Sequence, residues 1–180
     1  MAERMIRYLG DPILKTRAAV VTRFDKALRA LVDDLMDTVA VPGRAGLAAP
    51  QIGVGLRAFS YNVDGRRGYV INPELTEVSA EQQNGEEGCL SVPGLYFATT
   101  RASSAVVHGV DVRNEPVTVG GAEDMARCLQ HETDHLDGIL YLDRLDARTR
   151  RLAMRQVRES AWFLRPDTPV AAAPRSGFRS

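Results

Sequence analysis

Two cysteines and three histidines are all that the 180 residues offer to thiol or imidazole chemistry, and no stretch is apolar for long enough to span a membrane. The first ten residues, MAERMIRYLG, alternate charged and apolar side chains, so no signal-peptide core is expected. Net charge is missing as well. Lys plus Arg and Asp plus Glu are both 23, so the overall balance calls for neither nucleic acid nor an anionic membrane as partner. With only Cys89 and Cys128, a disulfide framework is not expected; each thiol is either kept reduced for chemistry or a small buried hydrophobe. Internal repeats are lacking too. The expectation is a cytoplasmic protein without membrane association, and at 44% hydrophobic residues the chain is long enough for one sizeable core.

From Phe24 to Val39, the apolar residues Leu28, Leu31, Val32, Leu35, Met36 and Val39 recur at intervals of three and four, which predicts an amphipathic helix ending at Pro42-Gly43. The following RAGLAAPQIGVG reads as a shaped loop. LRAFSYNV and RGYVINPEL flank Asp64-Gly65, a dipeptide that tolerates positive φ, and predict an antiparallel hairpin. Residues 76–87 are polar and read as a loop. SSAVVHGVDV and VTVGG predict a second hairpin. A helix then carries Met125, Cys128, Leu129, Glu132 and Leu136 on one face, between Gly121 and Gly138. A final helix is expected from an Asp146 N-cap to Phe163, burying Leu152, Ala153, Val157, Ala161 and Leu164. Hairpins followed by helices without β-α-β alternation predict an α+β fold, mostly antiparallel sheet around the histidine-bearing helix. Residues 1–164 form the expected domain, and 165–180 have the composition of a disordered tail.

The chemistry concentrates in QHETDHLDG, residues 130–138. Positions four apart share a helical face, so His131 and His135 can address one metal ion, with Glu132 beside them near a bound water. A catalytic metal of this kind takes a third protein ligand and keeps one position open. Six residues beyond His135, where some metalloproteases have another histidine, stands Tyr141. Glu159, the only glutamate after Glu132, is one candidate third ligand. His108 is expected to be a packed or hydrogen-bonded core histidine. Cys89, within EEGCLSVPG, is a stronger candidate, since a loop thiolate is a good metal ligand.

Three stretches, GLAAPQ at 46–51, EGCLSVPG at 87–94 and QHETDHLDG at 130–138, together resemble in order and spacing the three signature motifs of the peptide deformylases, most closely the actinobacterial branch. The similarity runs over residues 1 to about 164. The resemblance implies that Cys89, His131 and His135 bind one divalent ion, commonly ferrous iron, with nickel, cobalt or zinc as substitutes. It implies removal of the formyl group from the N-terminal formyl-methionine of newly made polypeptides. Glu132 would be the general base, Gln51 and the Leu90 backbone N–H the donors to the developing oxyanion, and Gly46 the residue whose backbone pairs with the substrate peptide. Glu159 then becomes a solvated helix residue, and Cys128 lies near the methionine pocket or is simply buried. One departure stands out. Arg44 occupies a place where the family usually has glycine, which bears on loop shape and on the charge met by an incoming substrate.

Two other readings are carried forward: a metallopeptidase cutting internal peptide bonds with Glu159 as third ligand, and a catalytically idle metal-binding homologue or binding module. Between Arg144 and Arg158 six arginines stand against Asp146 alone, either a solvated helix face or a contact for ribosomal RNA. A monomer is the family expectation.

Overall fold

The computed structural model describes residues 3–164, so the tail expected at 165–180 lies outside the described residues. Its first helix, α1 (Lys26–Val39), begins at Asp25, whose carboxylate accepts the Ala27 and Leu28 N–H groups, and it buries Leu28, Leu31, Val32, Leu35 and Val39 as the periodicity predicts. The stretch expected to be a shaped loop is more regular than that. It holds a short strand, β1 (Gly46–Ala48), and a single 3-10 turn over Ala49–Ile52, closed by Gly53 at φ 85°.

The first hairpin is present as β2 (Ala58–Val63) and β3 (Arg66–Val78), with Val63 opposite Arg66 and both turn residues, Asp64 and Gly65, at positive φ. The second comprises β6 (Ser104–Val110) and β7 (Pro116–Ala122). Together these strands form a five-stranded antiparallel sheet in the order β1-β2-β3-β6-β7. Side chains alternate between its faces. Phe59, Val70, Val107 and Val119 pack on one side with helix α2 (Glu123–Leu136), while Ala58 and Ile71 pack on the other with α1. The sheet is therefore sandwiched, and α2 is buried all round from Met125 to Leu136.

The polar stretch at 76–87 is a correction to the sequence reading. β3 runs on to Val78, and β4 (Gln82–Cys89) pairs with β5 (Val92–Ala102) as a separate two-stranded sheet. The first part of β4 is largely open to solvent, so it lacks the alternation that marks a half-buried strand; only Glu87, Gly88 and Cys89 are buried. Cys89 thus ends a strand, with Leu90 and Ser91 forming the tight turn into β5. His108 is a second correction. It shares a face with Val106 and Val110 as expected, the face away from α2, but while Val110 packs against the α1 cluster His108 is exposed, its Nδ1 2.8 Å from Thr118 Oγ1 on the neighbouring strand.

The last helix is broken. α3 (Ala147–Glu159) starts at the Asp146 cap, but Ser160 adopts extended backbone and a short α4 (Ala161–Leu164) follows. The break changes the buried face: Ala153 and Val157 are covered as expected, Trp162 is buried, and Leu152, Ala161 and Leu164 are exposed. No helix among the described residues is long and apolar enough to cross a membrane.

Candidate active site

α2 carries His131 and His135 one turn apart toward the turn that ends β4. The Cys89 sulfur, one nitrogen of His131 and one of His135 all lie within 4.8 Å of one another, and Cys89 Sγ is 3.2 Å from His135 Nε2. All three residues are buried. Among the described residues this is the one grouping of histidine, cysteine and carboxylate side chains able to share an ion. A thiolate and two imidazoles converging at this range are a donor set for a borderline or soft divalent cation. Glu159 does not approach it; it is exposed at the end of α3.

His131 is oriented by Glu87, which opens the second motif without having been given a role there, and by residues outside the motifs. Glu87, fully buried, accepts the Nδ1–H of His131 at 3.1 Å, which leaves Nε2 to face Cys89 and His135. Arg101 grips the same carboxylate with two hydrogen bonds, at 2.7 and 2.9 Å, and Arg127 adds a third at 3.0 Å. Arg101 also bonds Asp134 at 2.6 Å, and Asp134 in turn accepts both ends of the Arg144 guanidinium. Burial alone would raise the Glu87 carboxyl, but the hydrogen bonds from Arg101 and His131 hold it well below the usual carboxylate range. Burial alone would lower His131; the hydrogen bonds and charges of Cys89 and Glu87 raise it instead. His135, with no carboxylate on its ring, is lowered by burial and by the neighbouring His131. An imidazole binds a metal only when neutral, so protons and a metal ion compete for this pocket.

Glu132 points to the same place but shares none of these partners. Burial pushes its carboxyl up to about 7, and its Oε2 has no hydrogen-bond donor among the described residues. A buried carboxylate oxygen left unpaired is costly and fits a group that must exchange a proton. Gly46 is what lets it sit there: a methyl group on Gly46 would lie 2.7 Å from the Glu132 carboxyl carbon. The glycine thus permits close approach by the Glu132 carboxylate, and β1 is the edge strand of its sheet, with β2 on one side.

Gln51, on the 3-10 turn after β1, is buried and held at both ends of its amide. Its Oε1 accepts the Ala48 N–H at 2.8 Å, and its Nε2 faces Ser91 Oγ at 3.3 Å and Cys89 Sγ at 3.5 Å. The carbonyl bond fixes which way the amide is turned, so an N–H is presented toward Cys89. Leu90 follows Cys89 directly, placing its N–H on the same turn. Tyr141, at the place of a third histidine in other metallohydrolases, instead stacks near His131 with ring centroids 6.2 Å apart and donates its hydroxyl to the Leu95 carbonyl. Cys128 is fully buried in the core beneath α2, its thiol near the Ala45 carbonyl, and burial pushes that thiol well up. It is a packed group, not a reactive one.

Arg44 corrects a further expectation. The positive φ in its loop belongs to Gly43, so the arginine strains nothing, and its side chain is turned inward. The guanidinium donates to the Thr38 carbonyl at 2.7 Å and pairs with Glu3.

A family model described as polypeptide deformylase matches residues 3–151. The peptide deformylase of Acidothermus cellulolyticus is 55% identical over 162 residues, covering 90% of this chain and 89% of that protein. That of a Parafrankia species is 51% identical, covering 99% and 98%. Among solved structures, a peptide deformylase from Legionella pneumophila superposes with a TM-score of 0.84 at 37% identity, covering 93% of this chain and all of that one. One from Ehrlichia chaffeensis, in complex with actinonin, gives 0.80 at 33% identity, covering 88% and 98%.

Proposed function

The chain belongs to the polypeptide deformylase family, metal-dependent hydrolases that remove N-formyl groups from nascent polypeptides, and on this basis we propose how its residues divide the work. Cys89, His131 and His135 hold one divalent ion, ferrous iron in the cell, with nickel, cobalt or zinc able to stand in. The observation that carries this is the convergence of their three ligand atoms within 4.8 Å. An ion there supplies Lewis acidity, making a water nucleophilic near neutral pH and polarising the formyl carbonyl.

The remaining chemistry belongs to the protein. Glu132, unpaired at Oε2, takes the proton of the attacking water and passes one to the departing amine, so formate and a free α-amino group leave. The Gln51 side-chain amide and the Leu90 backbone N–H donate to the formyl oxygen as it gains charge. Such donors are effective when held in place beforehand, as the Ala48 N–H holds the Gln51 amide turned toward Cys89. Gly46 pairs with the substrate backbone, adding a strand to the sheet edge at β1. Glu87 keeps His131 turned and its Nε2 lone pair directed.

The internal-peptidase reading gains nothing from the relatives, and the exposure of Glu159 removes its third ligand. The reaction as drawn needs one chain only, in keeping with a monomer, and the substrate places it in the cytoplasm. Arg148, Arg151, Arg155 and Arg158 are exposed on α3, a basic face suited to ribosomal RNA near emerging chains. Cosedimentation with ribosomes is expected and should weaken steeply with added salt; absent or salt-insensitive cosedimentation would leave α3 a solvated face.

Metal analysis tests the ligand set. Wild type is expected to retain one ion per chain after dialysis, and Cys89→Ser to retain much less or a different ion, because a hydroxyl poorly replaces a soft thiolate. Equal stoichiometry in both proteins would remove Cys89 from the set.

A further inference from the structure

Residues 3–9 belong to none of the three motifs, yet their backbone is bonded to two of them. The Arg7 N–H donates to the Gln51 carbonyl at 2.7 Å, and the Leu9 N–H donates to the Ser91 carbonyl at 2.8 Å. Gln51 and Leu90, the residue before Ser91, are the two assigned oxyanion donors. They stand on separate supports, one on the 3-10 turn after β1 and the other on the turn between β4 and β5. The direct side-chain links between these supports are the contacts of Gln51 Nε2 with Ser91 Oγ at 3.3 Å and with Cys89 Sγ at 3.5 Å. Two backbone hydrogen bonds from this one segment therefore bridge the two supports.

The segment is fixed at both ends. Downstream, the Tyr8 ring lies 5.7 Å from that of Trp162, whose indole N–H donates to the Pro93 carbonyl just beyond the β4–β5 turn. Upstream, the Arg4 N–H donates to Thr38 Oγ1, the Arg4 side chain pairs with Asp34, and Glu3 pairs with Arg44. Arg44 and Thr38 are the buried members of this group, and Arg44 also holds the Thr38 carbonyl at 2.7 Å. It thereby joins the start of the segment to the end of α1.

We propose that residues 3–9 are a strap that sets the separation of the Gln51 and Leu90 donors, with Arg44 as its latch. Arg44 is a positioning residue: it touches no reacting atom and acts through Glu3. The inference rests on the assignment of Gln51 and Leu90 given above. Donors that act on charge present only in the transition state affect kcat and leave KM alone, whereas a general loosening of the fold lowers the amount of active, metal-bearing protein.

The test is steady-state deformylation of a formyl-Met-Ala-Ser peptide by metal-loaded protein, with metal content measured alongside, for Glu3→Ala, Arg44→Ala, Gln51→Ala and the Glu3→Ala/Gln51→Ala double variant. Glu3→Ala and Arg44→Ala are each expected to lower kcat about fivefold at unchanged KM and metal content, short of the ~10²–10³-fold cost of losing a donor outright. In the double variant the strap has one donor fewer to place, so it should be no slower than Gln51→Ala alone. Normal kcat in both Glu3→Ala and Arg44→Ala, with Gln51→Ala crippled, would overturn the strap and leave the donor assignment standing. Losses that multiply in the double variant, or that follow metal content, would likewise overturn it. Normal kcat in Gln51→Ala would overturn both. Should Arg44→Ala fail to fold, Glu3→Ala decides the matter, since Glu3 is half exposed.

Discussion

Glu132→Gln is expected to keep its metal and to release formate roughly 10²–10⁴-fold more slowly than wild type, the usual worth of a positioned general base. Glutamine preserves the shape that fits against Gly46 but cannot accept a proton at neutral pH. Its amide also removes the feature that makes Glu132 unusual, a buried ionisable group whose Oε2 has no hydrogen-bond donor among the described residues. The pH profile should change with the rate. The base works deprotonated, so wild-type kcat/KM falls as pH drops through the carboxyl pKa, which burial, partly offset by the charge of His131, raises to about 7. In the glutamine variant that acid limb should disappear. Unchanged turnover, or an unchanged acid limb on a residual rate, would assign the base elsewhere.

Glu87→Ala should destabilise the fold by about 3–5 kcal/mol, the range expected when one partner of a buried ion pair is removed and the other is left uncompensated. Two buried cations lose their shared carboxylate here, Arg101 keeping only Asp134 and Arg127 only the Thr99 carbonyl among the described residues. Metal affinity should fall as well, by roughly 10–100-fold, because His131 loses the acceptor that fixes its ring. The sign of the pH effect follows from the depressed Glu87 pKa: its contribution is complete above the ordinary carboxylate range and is lost as pH falls through the folded-state value. Chemical denaturation from neutral to acidic pH should therefore show a wild-type stability that declines on acidification, and a curve for Glu87→Ala with that part flattened. If the substitution prevents folding, Glu87→Gln retains the volume and reports the metal affinity. Wild-type stability and affinity in both variants would show the network to be idle.

These two residues also mark how far the sequence could be read. Glu132 was legible because its partners in function are local: His131 and His135 are fixed relative to it by the helical repeat alone. Glu87 was not, although it stands two residues before Cys89, because its meaning comes from Arg101 across the β4–β5 pair and Arg127 on α2, 14 and 40 residues away. The same division runs through the fold. The α1 stripe and the Asp64-Gly65 turn carry their own geometry, and both appear as expected. β4 hid as a loop because much of it faces solvent, leaving pairing without an alternating pattern to betray it. The alternation in β6 put His108 on a face correctly but gave no sign that packing on that face reaches Val110 and leaves His108 exposed. The break at Ser160 lay in a stretch with unbroken helical periodicity, and only the docking of Trp162 against the residues around Pro93 accounts for it.

The most direct test of the site as a whole is formate release from a formyl-Met-Ala-Ser peptide by protein loaded with ferrous iron or nickel. It should be run without oxygen, because a thiolate-ligated ferrous centre is readily oxidised. Formate in one-to-one yield with the free tripeptide, its peptide bonds intact, is the expected result. No formate from demonstrably metal-loaded protein, or fragments from cleavage within the peptide, would contradict it.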